Sequence, residues 1–173
     1  ESGTVHVIEV ESGKDTGEVV PYANSGTAGG SLTWSGDSKG FYYTRHPHKG
    51  EVDDKDLGFF QKVYFHKLGT KDAEDKLSLG DKATFELPRI AECEIETSKD
   101  GKWVVVGVQK GDGGEYWRFL LDTKKGTWTR FADIPDEINA RLARSKTLAA
   151  TESAAARAAP AVVTDGAGGA LPG

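Results

Sequence analysis

Two histidines and three aspartates lie within eleven residues of the chain, and both residue types bind transition metals. They are His46 and His48, separated by a proline, and then Asp53, Asp54 and Asp56. An H-x-H step in a strand places both imidazoles on one face, and imidazole and carboxylate are proper zinc ligands. The proline favours a solvated loop instead, so we expect no metal and no other cofactor.

Three further candidates have simpler structural interpretations. His66 lies in a strand-like run, and we interpret it as a structural histidine that anchors a strand to a turn. The glycine-rich Gly111–Gly114 is followed by no Lys-Ser/Thr pair and no helix, so it predicts a hairpin turn and not a phosphate loop. Cys93 is interpreted as a buried strand residue.

The composition is that of a soluble protein and excludes several functions. Acidic and basic residues are interspersed at a net charge of −5, and the lack of a basic stripe argues against nucleic-acid binding. No apolar run approaches the roughly 20 residues of a membrane-spanning helix. The single cysteine excludes an intramolecular disulfide and leaves a cytoplasmic or periplasmic location open. A chain that begins at Glu1 without any Met is expected to be a piece of a longer one.

Short apolar and aromatic runs separated by Gly/Asp/Ser/Lys turns predict an all-β fold of antiparallel strands. Helical periodicity is absent before Pro135. The four tryptophans are expected in the core, an aromatic ligand cage being the lesser alternative. The predicted strands are Val5–Val10, Gly30–Trp34, Phe41–Arg45, Val63–Leu68, Ile90–Thr97, Trp103–Val108, Tyr116–Leu121 and Trp128–Phe131.

A repeat with an offset of 63 residues organises these strands. The turn that starts at Ser35 matches the turn that starts at Ser98, and in both an S-x-D-[SG]-K string precedes an aromatic residue and a strand. Repeated four-stranded sheets are typical of β-propeller blades. The chain therefore predicts about two and a half blades: half a blade to Asn24, a full blade over 30–80 and another over 90–133.

Three strings resemble the N-terminal β-propeller of the prolyl oligopeptidase family of serine peptidases. They are GGSLTWSGDSKGFYYTRHP, QKVYFHKLGTKDAEDKL and ETSKDGKWVVVGVQKGDGGEYWRFLLD, and the match covers about residues 1–133. The resemblance implies a seven-bladed propeller that caps an α/β-hydrolase domain. It also implies cleavage of short peptides after proline, with the propeller keeping large folded proteins from the site.

The catalytic part of that family is missing from the sequence. Its members carry a G-x-S-x-G-G nucleophile elbow, and this string does not occur here. By the resemblance, none of the four histidines is catalytic: His6, His46, His48 and His66 all fall on propeller strands or in a loop. We therefore expect no catalytic residue in this chain.

The resemblance also implies residues that line a substrate pocket. One is an aromatic shortly before the W-x-x-D string, and others lie just past the strand that follows the S-x-D-G-K turn. The corresponding positions here are Gly29, Gln109 and Asp112. Gly29 stands where the family has the aromatic, and Gln109 stands where it has a basic residue. The alternative to a pocket role is that these residues simply end strands.

Two functions from different classes remain open. In the first, the chain is the propeller portion of a prolyl-oligopeptidase-like endopeptidase whose catalytic domain lies elsewhere. In the second, it is a non-catalytic propeller fragment that binds peptide or protein, or a truncated inactive product. Fold alone does not decide between them. The Ala/Gly-rich segment 134–173 is expected to begin as a helix at Pro135 and to end in disorder.

Overall fold

A computed structural model describes residues 3–24 and 29–134 of the chain. The chain divides into two compact units, 1–139 and 140–173, and all the described residues belong to the first. The predicted helix from Pro135 and the disordered end lie outside the described residues, and the boundary at residue 133 stays a prediction. No helix within 3–24 or 29–134 is long and apolar enough to cross a membrane.

Ten strands and three short 3-10 turns make up the described fold. The turns are Asp54–Asp56, Asp72–Glu74 and Gly111–Gly113. The strands are β1 (Gly3–Ile8), β2 (Asp15–Asn24), β3 (Leu32–Trp34), β4 (Gly40–Arg45), β5 (Lys62–Lys67), β6 (Lys76–Leu79), β7 (Ala91–Thr97), β8 (Trp103–Lys110), β9 (Tyr116–Asp122) and β10 (Thr127–Ile134).

The strands form three separate antiparallel sheets. β1 pairs with β2, β3 to β6 form one four-stranded sheet in chain order, and β7 to β10 form another. Each neighbouring pair in a four-stranded sheet is joined by a local turn or loop, as a meander requires. This confirms the expected half-blade followed by two complete four-stranded sheets.

The repeated turn has the same hydrogen bonds in both four-stranded sheets. Ser35 Oγ donates to Asp37 Oδ1 at 2.8 Å, and Ser98 Oγ donates to Asp100 Oδ1 at 2.7 Å. In each turn the aspartate also accepts a backbone N–H two residues on, as Asx turns do. The two turns touch, because a Cβ added to Gly36 would lie 2.5 Å from the Cα of a glycine in the other turn.

Two apolar clusters hold the sheets together. The larger lies between the four-stranded sheets, where Val63 and Leu79 of the first meet Val106 and Phe119 of the second. The smaller lies between the two-stranded sheet and β4 and contains Val20, Ala23, Phe41 and Tyr43. The β3–β6 sheet is therefore packed on both faces.

Two tryptophans contradict the expected core. Trp34 is 44% exposed and Trp103 is 40% exposed, whereas Trp117 and Trp128 are half-buried against the larger cluster. The reason is register: the N–H of Ser98 bonds the carbonyl of Trp103 as the N–H of Ser35 bonds that of Gly40. Trp103 thus takes the place of Gly40 and not of Phe41, and its ring lies outside the core.

Candidate functional site

The three residues expected to line a pocket lie at one end of the sheets. Gly29 comes shortly before β3, Gln109 is near the end of β8, and Asp112 is in the 3-10 turn that follows. β3 and β7 run side by side in the same direction, because Ser31 Oγ accepts the N–H of Ile95 at 2.9 Å and, two residues further along both strands, Thr33 Oγ1 accepts the N–H of Thr97 at 3.2 Å. The start of β3 and the start of β7 therefore share this end with the end of β8.

A buried glutamine joins Gly29 to the neighbouring sheet. Gln61 is 1% exposed; its Nε2 donates to the Gly29 carbonyl at 2.8 Å, and its Oε1 accepts the N–H of Cys93 at 2.8 Å. Gly29 itself is exposed, and a Cβ added there meets nothing within 4 Å. The glycine thus leaves open space at the start of β3, while its carbonyl is fixed.

Gln109 is fully engaged by its own sheet. Its Oε1 accepts the hydroxyl of Tyr116 at 2.5 Å, and its Nε2 donates to the Gly111 carbonyl at 3.0 Å. Asp112 is exposed in the turn next to it. Gln109 and Asp112 are thus neighbours across one hairpin, and Gly29 is joined to the adjoining strand through Gln61. The pocket role of all three stays a prediction.

The hairpin over Gly111–Gly114 is confirmed as a turn. Gly111 and Gly114 both have positive φ, at 60° and 75°, a conformation that favours glycine. The turn joins β8 to β9 within one sheet.

A hydrogen-bond network around Arg45 lies at the same end of the sheets, and no pattern in the sequence predicts it. Arg45 is buried and donates through Nη2 to both carboxylate oxygens of Glu51 and to the hydroxyl of Tyr64, at 3.0, 3.1 and 2.7 Å. Its Nη1 lies 3.1 Å from His48 Nε2. Burial alone would lower the pKa of Arg45, but Tyr64 and Glu51 outweigh it and raise that pKa. The network ties the loop 46–61 to β4 and β5.

A cavity of about 490 Å³ adjoins this network. Basic, acidic and apolar side chains line it, among them Arg45, Lys62, Glu86, Phe60 and Leu87. Such a lining can hold a polar chain by hydrogen bonds and apolar contact. Among the described residues that line it, there is no serine, cysteine or histidine.

Basic side chains pair with three of the candidate ligands in the loop, which are His48, Asp53 and Asp56. His46 is buried, and burial lowers its pKa, whereas His48 faces Arg45. Asp56 accepts from Arg89, and Asp53 pairs with a lysine at 3.3 Å. Within residues 3–24 and 29–134 no group of three or more potential ligands has a metal-binding arrangement. The loop is less solvated than expected, since its first two residues and its last are buried.

His66 is confirmed as a structural histidine. Its Nδ1 lies 2.7 Å from Asp75 Oδ1, which directly follows the 3-10 turn after β5. Its Nε2 lies 2.7 Å from Glu18 Oε1 of the two-stranded sheet. His6 lies 3.3 Å from Asp15. The side-chain partners of His6, His48 and His66 are thus carboxylates or an arginine, and none is a serine.

A shorter string, G-x-S-x-G, does occur at Gly36–Gly40, and the structure shows that it is not a nucleophile elbow. It forms the tight turn between β3 and β4, with Ser38 exposed at φ 55°. An elbow joins a strand to a helix, whereas here a strand follows. The positive φ of Ser38 belongs to the hairpin.

The stacked, four-stranded antiparallel sheets are blades of a β-propeller. A family model described as the prolyl oligopeptidase N-terminal beta-propeller domain matches residues 1–149. The chain belongs to this family.

Two curated relatives are much longer than this chain. Prolyl oligopeptidase A of Amanita bisporigera is 32% identical over 101 residues, which are 53% of this chain and 12% of that protein. The dual function macrocyclase-peptidase POPB of the same species is 32% identical over 80 residues, 46% of this chain and 10% of that protein. The chain thus matches only about a tenth of the length of these relatives.

Solved structures support the fold. A chain from a study of two prolyl endopeptidases has a TM-score of 0.60 at 21% identity, with 76% of this chain and 18% of that chain covered. Prolyl oligopeptidase B of Galerina marginata, bound to a 25mer macrocyclization substrate, has a TM-score of 0.57 at 19% identity, with 76% and 20% covered. At these identities the likeness concerns the fold alone.

Proposed function

We propose that the chain forms part of the propeller of a prolyl-oligopeptidase-like serine endopeptidase. The observation that carries this proposal is the family match over residues 1–149, in which two complete four-stranded sheets stack face to face. In the proposed enzyme, an activated serine outside these residues attacks the peptide, and backbone N–H groups stabilise the oxyanion. The present chain supplies no step of that chemistry.

Its contribution is to control access and to line part of the pocket. The propeller admits short proline-containing peptides to the catalytic domain of the same protein and excludes large folded proteins. Gly29, Gln109 and Asp112 lie at the end of the sheets that faces that domain in this proposal. Because Gln109 is neutral and already bonded to Tyr116, this end offers an amide where a cation is expected from the resemblance.

The test compares the isolated chain with the product of the same reading frame extended through whatever coding sequence follows. The isolated chain is expected not to hydrolyse a chromogenic proline-terminated peptide, whereas the extended product hydrolyses it and is blocked by a serine-reactive phosphonate. A proline-containing octapeptide is cut, and a folded protein with an exposed proline is spared.

Two results would contradict the proposal. Phosphonate-sensitive turnover by the isolated chain would show a nucleophile within these residues. An extended product that lacks peptidase activity but binds peptide would favour the non-catalytic alternative. Gln109→Arg in the active product tests the pocket: a changed KM for the octapeptide is expected, with Thr129→Arg on β10 of the same sheet as the matched control.

A further inference from the structure

A buried chain of polar groups joins the two-stranded sheet to the β3–β6 sheet. His66 is 1% exposed, and its ring lies between Asp75 and Glu18 with both nitrogens 2.7 Å from a carboxylate oxygen. The Asp75 side chain is 2% exposed. Glu18 belongs to β2, whereas His66 and Asp75 belong to β5 and the turn after it, so the histidine bridges the two sheets.

Both carboxylates receive further donors. Asp75 Oδ2 accepts the hydroxyl of Tyr43 at 2.7 Å, and Glu18 accepts the N–H of Gly69 at 2.9 and 3.1 Å. An ionised carboxylate is an acceptor only, and extra donors stabilise its charged form. The geometry therefore fits two carboxylates that are both ionised.

The histidine between them must then donate twice. A neutral imidazole has one N–H donor and one unprotonated nitrogen that can only accept a hydrogen bond. The unprotonated nitrogen would face a carboxylate oxygen, so that two acceptors repel each other. Only the imidazolium offers an N–H on each side. The other group that packs on the ring from β4 is Phe41, at 5.0 Å between centroids, and it carries no charge.

We propose that His66 is an imidazolium that clasps the two-stranded sheet onto the β3–β6 sheet through Glu18 and Asp75. The ionisable groups that face it are Glu18 from β2, Asp75 from the turn after β5 and, through Asp75, Tyr43 from β4. The apolar part of the same junction is made by Val20 and Ala23 against β4. Deprotonation leaves one buried carboxylate without its charged donor, which is costly in a dry interface.

The first test is the protonation state of the ring in the unchanged chain. Nitrogen-15 NMR of labelled histidine is expected to show two protonated ring nitrogens in His66 in the folded chain, because each nitrogen faces a carboxylate oxygen. His6 is the internal reference, since it is half-exposed and meets one carboxylate at 3.3 Å. If His66 shows only one protonated ring nitrogen in the folded chain, the proposal is wrong.

The second test is hydrogen exchange of the β2 amides, corrected for the intrinsic effect of pH. Glu18→Gln keeps the shape and removes the charge, so protection of Val19–Ala23 is expected to fall about ten- to hundredfold at neutral pH. The matched control is Asp15→Asn, which removes the exposed partner of His6 from the same strand and should leave protection unchanged.

Exchange of the β8 amides distinguishes release of one sheet from global unfolding. If Glu18→Gln lowers protection of Val104–Val108 as much as that of β2, the variant unfolds as a unit, and the histidine NMR of the unchanged chain decides. Unchanged β2 protection in a folded Glu18→Gln variant contradicts the clasp.

Discussion

The two four-stranded sheets share topology and turn, yet they differ in how their strands are covered. In β4, Gly40–Arg45, five of six residues are buried, whereas in β7, Ala91–Thr97, buried residues alternate with glutamates. β4 lies between two neighbouring sheets and β7 has a sheet on one face only, among the described residues. The burial of nearly every residue in β4 thus reflects a sheet between two neighbours, and the alternation with charge in β7 reflects a single covered face.

The largest expected effect comes from the interface between the two sheets. Phe119 is fully buried there, with its ring centroid 5.2 Å from that of Phe85. Phe119→Ala is expected to lower the free energy of unfolding by about 3–5 kcal/mol, measured by urea denaturation. Leu120→Ala on the opposite face of β9 is the control and should cost less than about 2 kcal/mol, because that side chain is only half-buried. Equal effects would mean that both faces of β9 are covered.

The equivalent positions Gly40 and Trp103 should differ in how sensitive stability is to the size of the side chain. A Cβ at Gly40 would overlap the His66 carbonyl oxygen and lie 2.7 Å from Phe65 Cζ, so Gly40→Ala is expected to destabilise by about 1–3 kcal/mol. Trp103→Ala, at the equivalent position in the other sheet, should cost at most about 1.5 kcal/mol, because the ring is exposed. Thermal melting measures both changes in stability. A loss of stability larger than about 1.5 kcal/mol in Trp103→Ala would mean that Trp103 belongs to the core after all.

The smallest expected effect is electrostatic and lies in the repeated turn. Hydrogen bonds from Ser98 and then from Lys102 lower the pKa of Asp100 to about 2, from an ordinary 3.8. Because the folded pKa is depressed, the contribution of this carboxylate to stability is complete above about pH 4 and is lost as the pH falls through about 2. Carbon-13 NMR of the carboxyl group measures the midpoint.

Ser98→Ala should raise that midpoint towards the ordinary value, since the serine is the strongest of the causes. Ser35→Ala should do the same for Asp37, whose pKa is also lowered, first by Ser35. If the titration midpoint of Asp100 stays the same in Ser98→Ala, the two turns are alike only in backbone geometry.

Local patterns were sufficient to predict most of the fold. The alternation in β7, the valines of β8 and the S-x-D turns each involve residues close in sequence, and they predicted the two complete sheets. β2 was harder because it contains Pro21, which suits a strand without a second partner. Trp103 is misplaced when it is matched to the aromatic Phe41, because the offset of 63 residues pairs it with Gly40, and one residue changes the face.

The site was less predictable, because its contacts join distant parts of the chain. Gln61 bonds Gly29 and Cys93, each 32 residues away, and His66 meets Glu18 across 48 residues. No spacing in the sequence indicates such pairs before the sheets are stacked. Gly29, Gln109 and Asp112 came from the resemblance and not from a local pattern.

Cys93 lies at the larger apolar cluster, between the two four-stranded sheets, and burial raises the pKa of its thiol to about 12. The thiolate is the form that reacts with alkylating reagents, so at neutral pH the folded chain presents almost none of it. Reaction therefore requires the sheets to separate and admit both water and reagent. Because the chain has a single cysteine, the rate at which iodoacetamide modifies it measures how often one blade parts from the next.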